Sequence, residues 1–446
     1  MQQPEAESSK PIPSIDEVIA IIISVEDSGH KKILDKLNLL NSASLLSYTT
    51  DGLDPLTVLN PKTHSLAYLY FITERCQRAT SQNALQLYQL LYHFIQVYDP
   101  RQVHLAPKRF TLIAKALLKI TSVLKKPLLP LQSLARAIER FVDTPNTLTS
   151  LHAPFIQACI LAKNYSFPLL ALDHDIEVLD VERYDIDIQS FLQYYYYGSI
   201  VYIANKNFER ALDFLSIVIS SPTQKAISAI QIAAYKKFVL VSLIYQGQVS
   251  ALPKYTAQGV EKVCRTQSQP YLNLLKDFNE TDLDMFQENA SSASALFESD
   301  NHLGLVKQCF QALRRKKIKE LTNVYITVGL NEMATKIGTS PQELELILIE
   351  MIYQNQISAT ISVTDQHVKM VHFTDEEDKS QVNLEDRIFQ ISAVNDRVSY
   401  MDKLEGLNRD FQTKFMTLSA NGGQMTTTPY DEDFDLPLDD DTKIFN

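Results

Sequence analysis

"GTSPQELELILIEMIYQ" (338–354) reads as the second helix of a helix-turn-helix. Gly338 can take the left-handed conformation that ends the preceding run "GLNEMATKIG" (329–338), where Leu330, Met333, Ala334 and Ile337 mark one helical face. Ser340 then suits the cap, Pro341 the first turn, and Glu343 lies three residues after the cap, where it can bond back to it. Past the helix, "ISATISV" (357–363) alternates strictly, with Ile357, Ala359, Ile361 and Val363 on one face. "HVKMVHF" (367–373) is its partner strand after the polar turn "TDQ". Helices followed by a hairpin make a winged helix, predicted over 317–374.

A helix so placed either enters a DNA groove or lies against protein. Groove reading needs Arg, Lys, Asn or Gln aimed at base edges, with basic neighbours for phosphates. Residues 340–354 contain no Arg or Lys; they contain Glu343, Glu345 and Glu350, and Gln342 and Gln354 stand only at the ends. Leu344, Leu348 and Met351 form one apolar face, and Leu346, Ile349 and Tyr353 another. The whole chain carries a net charge of −11, which repels phosphate. The composition therefore predicts a protein-docking module with no nucleic-acid partner, its candidate contacts being Leu346, Ile349, Tyr353, Ile357, Ile361 and Val363. One basic run, Arg314, Arg315, Lys316, Lys317 and Lys319, reads first as the solvated carboxyl end of a helix, where cations complement the dipole. Its second reading is a contact for an acidic or nucleic-acid partner.

Upstream, helical patterns follow one another from about residue 14 to 316. Only 11 of 446 residues are glycine, which disfavours folds built on tight turns or phosphate-cradling loops and suits a series of helices. "NALQLYQLLYHFIQVY" (83–98) is apolar on nearly every side and predicts a helix buried between layers. The clearest unit, "FLQYYYYGSIVYIANKNFERALDFLSIVISSP" (191–222), resembles a tetratricopeptide-type hairpin. Tyr194, Tyr197, Gly198, Phe214 and Pro222 fall at that repeat's positions, with Ala211 displaced by one. A glycine there lets two helices approach closely. The expected architecture is mainly α: a superhelical array of tetratricopeptide-like repeats over 1–190 and 191–316, ahead of the winged helix.

Downstream, 383–416 reads as one long helix. Leu384, Ile388, Ile391, Val394, Val398, Met401, Leu404, Leu407, Phe411 and Phe415 take nine steps over 31 residues, or 3.44 per step, close to the 3.5 of a bundle seam. Nothing follows for this stripe to pack on, because 417–446 is acidic, of low complexity, and reads as disordered. The seam must fold back or meet other chains. Leu384, Ile388, Ile391, Val398, Met401, Leu404, Phe411 and Phe415 are the candidate contacts.

Enzyme signals are sparse. The glycine positions exclude the Walker pattern and the dinucleotide fingerprint, and no G-x-S-x-G or H-E-x-x-H occurs. Period-2 parity puts His367 and His372 on opposite faces of the hairpin, which is poor for chelation. "LDHDIEVLD" (172–180) groups Asp173, His174, Asp175 and Glu177 but reads as a solvated turn. Cys76, Cys159, Cys264 and Cys309 are widely spaced and read as buried, reduced thiols of an intracellular protein. The polar start "MQQPEAESSKPIPS" lacks a targeting pattern, and the eight-residue run "VIAIIISV" (18–25) is too short to span a bilayer. The expectation is no cofactor, no metal, no membrane association and no catalytic residue.

Helical repeats, then a winged helix, then a long bundle helix resemble the layout of the PCI family of scaffold subunits. "YYYYG" (194–198), "KNFERAL" (206–212), "AYKK" (234–237), "LVSLI" (240–244), "LPKYT" (252–256) and "GLVKQC" (304–309), with "LTSLHAPFIQACILAK" (148–163), look like the pattern of the third-subunit family of the COP-nine signalosome. That resemblance implies a non-catalytic scaffold of an assembly, working in cytoplasm and nucleus, that removes a ubiquitin-like modifier from cullins and so regulates cullin-RING ligases. It implies a zinc metalloprotease centre in another subunit, winged-helix contacts with subunits one and eight, and a shared carboxyl-terminal helical bundle. A PCI subunit of the proteasome lid or of a translation initiation complex is the nearest alternative. A nucleic-acid-binding PCI adaptor using the basic run is the next.

Overall fold

The computed structural model describes residues 14–24, 29–222, 227–363, 369–374 and 380–407, the last from the backbone alone at 380–386 and 405. The described chain is mainly helical, with helical repeats followed by a winged-helix module and a long carboxyl-terminal helix. It divides into two compact units. One holds the chain up to Val324 and also Asn331–Ile347; the other holds Tyr325–Leu330 and the chain from Leu348.

In the first unit, helix follows helix from Ile15–Ser24 to Leu303–Thr322. The apolar side chains form two cores, and the tetratricopeptide-like hairpin is the layer between them. Tyr194, Val201, Tyr202, Ala211 and Phe214 join the amino-terminal core, while Leu192, Leu212, Leu215, Val218 and Ile219 join the other. The hairpin's helices, Ile188–Ala204 and Phe208–Ser220, thus bury side chains in both directions. Gly198 makes their approach possible. A Cβ built there would lie 2.7 Å from Phe214 Cε1 and 3.1 Å from Leu172 Cδ2. The Phe214 ring cannot easily yield, because Tyr194, Tyr195 and Tyr202 pack around it. Local chemistry starts these two helices and the next. Asp187 accepts from Ser190 N, Asn207 from Arg210 N, and Ser228 forms a capping box with Gln231 at the start of Ala229–Tyr245.

One helix departs from its sequence pattern. Ala84–Val97 is not enclosed between layers: Leu87, Leu91, Phe94 and Ile95 are buried, but Leu85 and Tyr92 are exposed. Tyr88 lies between, its hydroxyl donating to Leu129 O. An all-round apolar pattern here marks one core face and one open apolar face.

The second unit carries a three-stranded antiparallel sheet in the order β1-β3-β2, with β1 Thr327–Gly329, β2 Ala359–Val363 and β3 Lys369–Phe373. β2 and β3 are the expected hairpin, in the register Ile361↔Val371. β1 is an addition. The end of "NHLGLVKQCFQALRRKKIKELTNVYITV" leaves its helix at Thr322 and pairs with β3 as Val328↔Val371. Tyr325, Ile326, Thr327 and Val328 are residues that favour strands, a signal masked by the helical run ahead of them. In chain order the module runs β1, helix Leu330–Ile337, helix Pro341–Tyr353, β2, β3.

Candidate docking surfaces

The turn between the winged-helix helices is built as its residues require. Gly338 sits at φ +69°, Gly338 N donates to Thr335 O, and Thr339 N donates to Ala334 O. Those two bonds make a Schellman stop. Ser340 Oγ then accepts from Glu343 N at 3.2 Å, and Pro341 opens the next helix. The Glu343 carboxylate does not close a capping box. It meets Arg314 Nη1 at 2.8 Å, a contact across 29 residues that local spacing could not signal.

Helix Pro341–Tyr353 has two apolar faces, and they have opposite fates. Leu344, Leu348 and Met351 are completely buried. Leu346 is 69% exposed, Ile349 51% and Tyr353 87%, an apolar stripe left in water. On the sheet, the alternating face of 357–363 grades from core to solvent. Ile357 is buried, Ile361 is half-buried, and Val363 is 60% exposed. Ile357 is therefore a core residue and not a docking contact. It lies before the first residue of β2, at the turn where Gln356 N returns to Met351 O, so strand parity does not govern it. β2 pairs with β3 alone among the described residues and offers an open edge. His372 bridges the sheet, with Nδ1 2.8 Å from Thr327 Oγ1 and Nε2 3.0 Å from Ser362 Oγ. Both ring nitrogens are engaged, so His372 is a structural cross-tie. His367 lies outside the described residues.

Helix Ser380–Leu407 carries the predicted seam. Every described side chain from 387 to 407 is exposed, including Ile388, Ile391, Val394, Val398, Met401 and Leu404. Phe389, Tyr400 and Leu407 are exposed as well. At about 100° per residue, these apolar side chains reach nearly all round the helix. Phe389 and Tyr400 were missed because a one-seam template passes over them. A helix apolar on several sides belongs among neighbours on several sides. Leu384 is within the helix, but its side chain, like Phe411, Phe415 and the acidic tail, lies outside the described residues.

Residues 30–260, just over half of the chain, match the family model described as "COP9 signalosome complex subunit 3, N-terminal helical repeats". Residues 275–375 match the PCI domain model. The chain belongs to the COP9 signalosome subunit 3 family. The Arabidopsis thaliana COP9 signalosome complex subunit 3 is 29% identical over 432 residues, covering 95% of this chain and 98% of that one. The Dictyostelium discoideum protein of that description is 29% identical over 375 residues, covering 83% and 89%.

For this member of the subunit 3 family, the reactive side chains are enclosed. Burial pushes the thiols of Cys76 and Cys159 up to about 12 and that of Cys264 to about 11, and raises Cys309 too, so all four stay protonated near neutrality. The richest polar cluster joins Lys237, His302, Tyr271, Asp300 and Lys236. Lys237 Nζ lies 2.5 Å from His302 Nε2, Tyr271 Oη 2.7 Å from His302 Nδ1 and 2.8 Å from Asp300 Oδ2, and Lys236 Nζ 2.7 Å from that same oxygen. Lys237 has only donors near neutrality, so Nε2 accepts, Nδ1–H donates to the tyrosine, and the tyrosine donates to Asp300. Burial lowers Lys237 to about 8; burial and the Lys237 charge lower His302 to about 3. His302 is 2% exposed and Tyr271 fully buried, so the chain of bonds pins Ala229–Tyr245 and Gln269–Glu280 to the segment before Leu303–Thr322. Sequence spacing gave no hint of it. Among the described residues, no group of three His, Cys, Asp or Glu could hold a metal, and no helix is long and apolar enough to cross a membrane.

Most of the basic run is engaged within the chain, and Lys319 is exposed. Lys316 Nζ donates to Phe278 O at 2.8 Å and Lys317 Nζ to Thr281 O at 3.3 Å, at the carboxyl end of Gln269–Glu280. Arg314 holds Glu343 and stacks over Phe310, and Arg315 also has an interaction partner. Lys316 and Lys317 complement the end of a neighbouring helix, while Lys319, exposed in the last turn of Leu303–Thr322, complements its own.

Proposed function

We propose that this chain is a non-catalytic scaffold subunit of the COP9 signalosome, joined to other subunits through its winged helix and its carboxyl-terminal helix. The observation that carries the reading is the exposed apolar surface on helix Ser380–Leu407, supported by the Leu346, Ile349 and Tyr353 stripe. Surface of that extent on several sides of one helix is stabilised when protein covers it. By resemblance to its family, the winged-helix neighbours are subunits one and eight, and the long helix enters a bundle shared by the subunits. The assembly removes a ubiquitin-like modifier from cullins and so regulates cullin-RING ligases and ubiquitin-dependent catabolism, in nucleus and cytoplasm. Its metalloprotease centre belongs to another subunit.

Affinity purification of the tagged chain from its own cells, with quantitative mass spectrometry, tests the assignment. Signalosome subunits should co-purify in near-stoichiometric amounts. Proteasome-lid or initiation-complex subunits in their place would overturn it. The nucleic-acid alternative loses its main support, because Arg314, Lys316 and Lys317 make intramolecular contacts.

A further inference from the structure

A cleft of about 400 Å³ opens in the helical-repeat unit, far along the chain from the winged helix. It lies between helix Leu129–Phe141, helix His152–Leu161 and the short helix Leu169–Leu172. Ile138, Val142, Phe155, Phe167 and Ala171 form much of its apolar wall. Its size is that of a ligand pocket. One polar side chain lines it from within. His152 is 2% exposed, and Thr149 N donates to its Nδ1 at 3.0 Å. That bond makes Nδ1 the acceptor, so Nε2 carries the ring proton, and Nε2 has no partner among the described residues. A donor in an apolar wall with no protein acceptor is available to a guest.

The lip of the cleft has a definite charge. Glu139, Asp143 and His174 line it, and the loop from Asp173 continues through Asp175, Glu177, Asp180 and Glu182. Against these stand Arg136, Arg183 and Arg210, already paired with Glu139, Asp143 and Asp175. Asp173, Glu177, Asp180 and Glu182 remain as exposed negative charge. Leu170 is 74% exposed at the mouth, and Val178, Leu179 and Val181 are exposed along the loop. This loop contains the stretch "LDHDIEVLD". It is more than a solvated turn: Glu177 N and Val178 N donate to Asn146 O, and Leu148 N donates to Val178 O. Those bonds hold the acidic residues in place beside the cleft.

We propose that this cleft is a docking site for a basic, apolar peptide segment of a partner protein. A bulky apolar side chain enters the cleft, a backbone or side-chain oxygen accepts from His152 Nε2, and flanking Lys or Arg residues lie along the 173–182 loop. An apolar pocket with one placed donor and a rim of one charge sign selects for both features of the guest. No residue lining the cleft belongs to the winged helix or the carboxyl-terminal helix, so the site does not depend on the scaffold reading.

The test uses the full chain and three short fluorescent peptides in an anisotropy titration. The first is an amphipathic Leu/Lys peptide; the second has each Lys replaced by Glu; the third has each Leu replaced by Ser. The Leu/Lys peptide should bind, and the other two should bind at least about tenfold more weakly, as loss of one buried leucine or of the charge complementarity implies. Ala171→Phe, which fills the cleft, and the double variant Asp173→Lys with Glu177→Lys should each weaken binding at least about tenfold. If Ala171→Phe lowers the melting temperature, Leu170→Asp at the exposed mouth replaces it. Failure of the Leu/Lys peptide to bind overturns the proposal. So does equal binding of either control peptide, or unchanged binding to the folded cleft variants.

Discussion

Gly198 is the residue at which backbone, packing and family pattern meet. Its missing Cβ lets Phe214 and Leu172 close on the Ile188–Ala204 helix. Gly198→Ala forces a methyl group into a packed aromatic seam and should cost about 1–3 kcal/mol in urea denaturation. Gly304 is the control: it lies in helix Leu303–Thr322 with nothing within 4 Å of a built Cβ. Gly304→Ala should be neutral or stabilise by up to about 1 kcal/mol, since alanine restricts the unfolded chain. Equal effects at both sites would contradict the packing account. The position of Gly198 was legible from repeat spacing, because the repeat requires a small residue where its helices touch. His152 and His302 were not, since burial and non-local partners set their character. Burial is the leading cause that lowers His152 to about 4 and His302 to about 3, from 6.5. The unfolded chain then binds more protons below pH 6.5. Their contribution is fully present above pH 6.5 and is lost as pH falls toward 4 and 3. Each group adds up to about 1.4 kcal/mol of lost stability per pH unit in that window. His302→Gln should reduce the difference between urea melts at pH 7.5 and pH 5.

At the scale of elements, periodicity found what is periodic. The second winged-helix helix, its two apolar faces and the β2–β3 hairpin followed from spacing alone; which face is buried did not. β1 did not, because three strand residues after a 20-residue helix carry too little pattern of their own. Ile357 was misplaced because strand alternation was extended two residues before the strand begins. The basic run was read as a helix end in solvent; Lys319 fits that reading, but Lys316 and Lys317 bond the carboxyl end of Gln269–Glu280, 36–38 residues earlier in sequence. Lys316→Ala with Lys317→Ala should therefore destabilise the repeat unit by about 1–2 kcal/mol, through loss of two partly exposed charged hydrogen bonds. Chemical denaturation measures it. An unchanged midpoint would show that these two bonds contribute nothing to stability.

At the scale of the molecule, the two inner cores of the repeat unit are covered, but helix Ser380–Leu407 is not. Its period of 3.44 residues, drawn from a stretch that includes Leu384, Phe411 and Phe415, predicted one seam that either folds back or meets other chains. The described portion offers apolar side chains on several sides, Phe389 and Tyr400 among them. Which chains cover them lies beyond the reach of a single sequence, because an interface is completed by residues that belong to its partners. The central claim is that this surface holds the chain in its assembly. Met401 and Leu404 are 59% and 46% exposed, so changing both to Asp should leave the fold intact. The direct measurement is co-purification of the Met401→Asp, Leu404→Asp variant expressed in place of the natural chain, with circular dichroism to verify its helices. Loss of the other signalosome subunits from a folded variant is the predicted result. Their full retention would contradict the account.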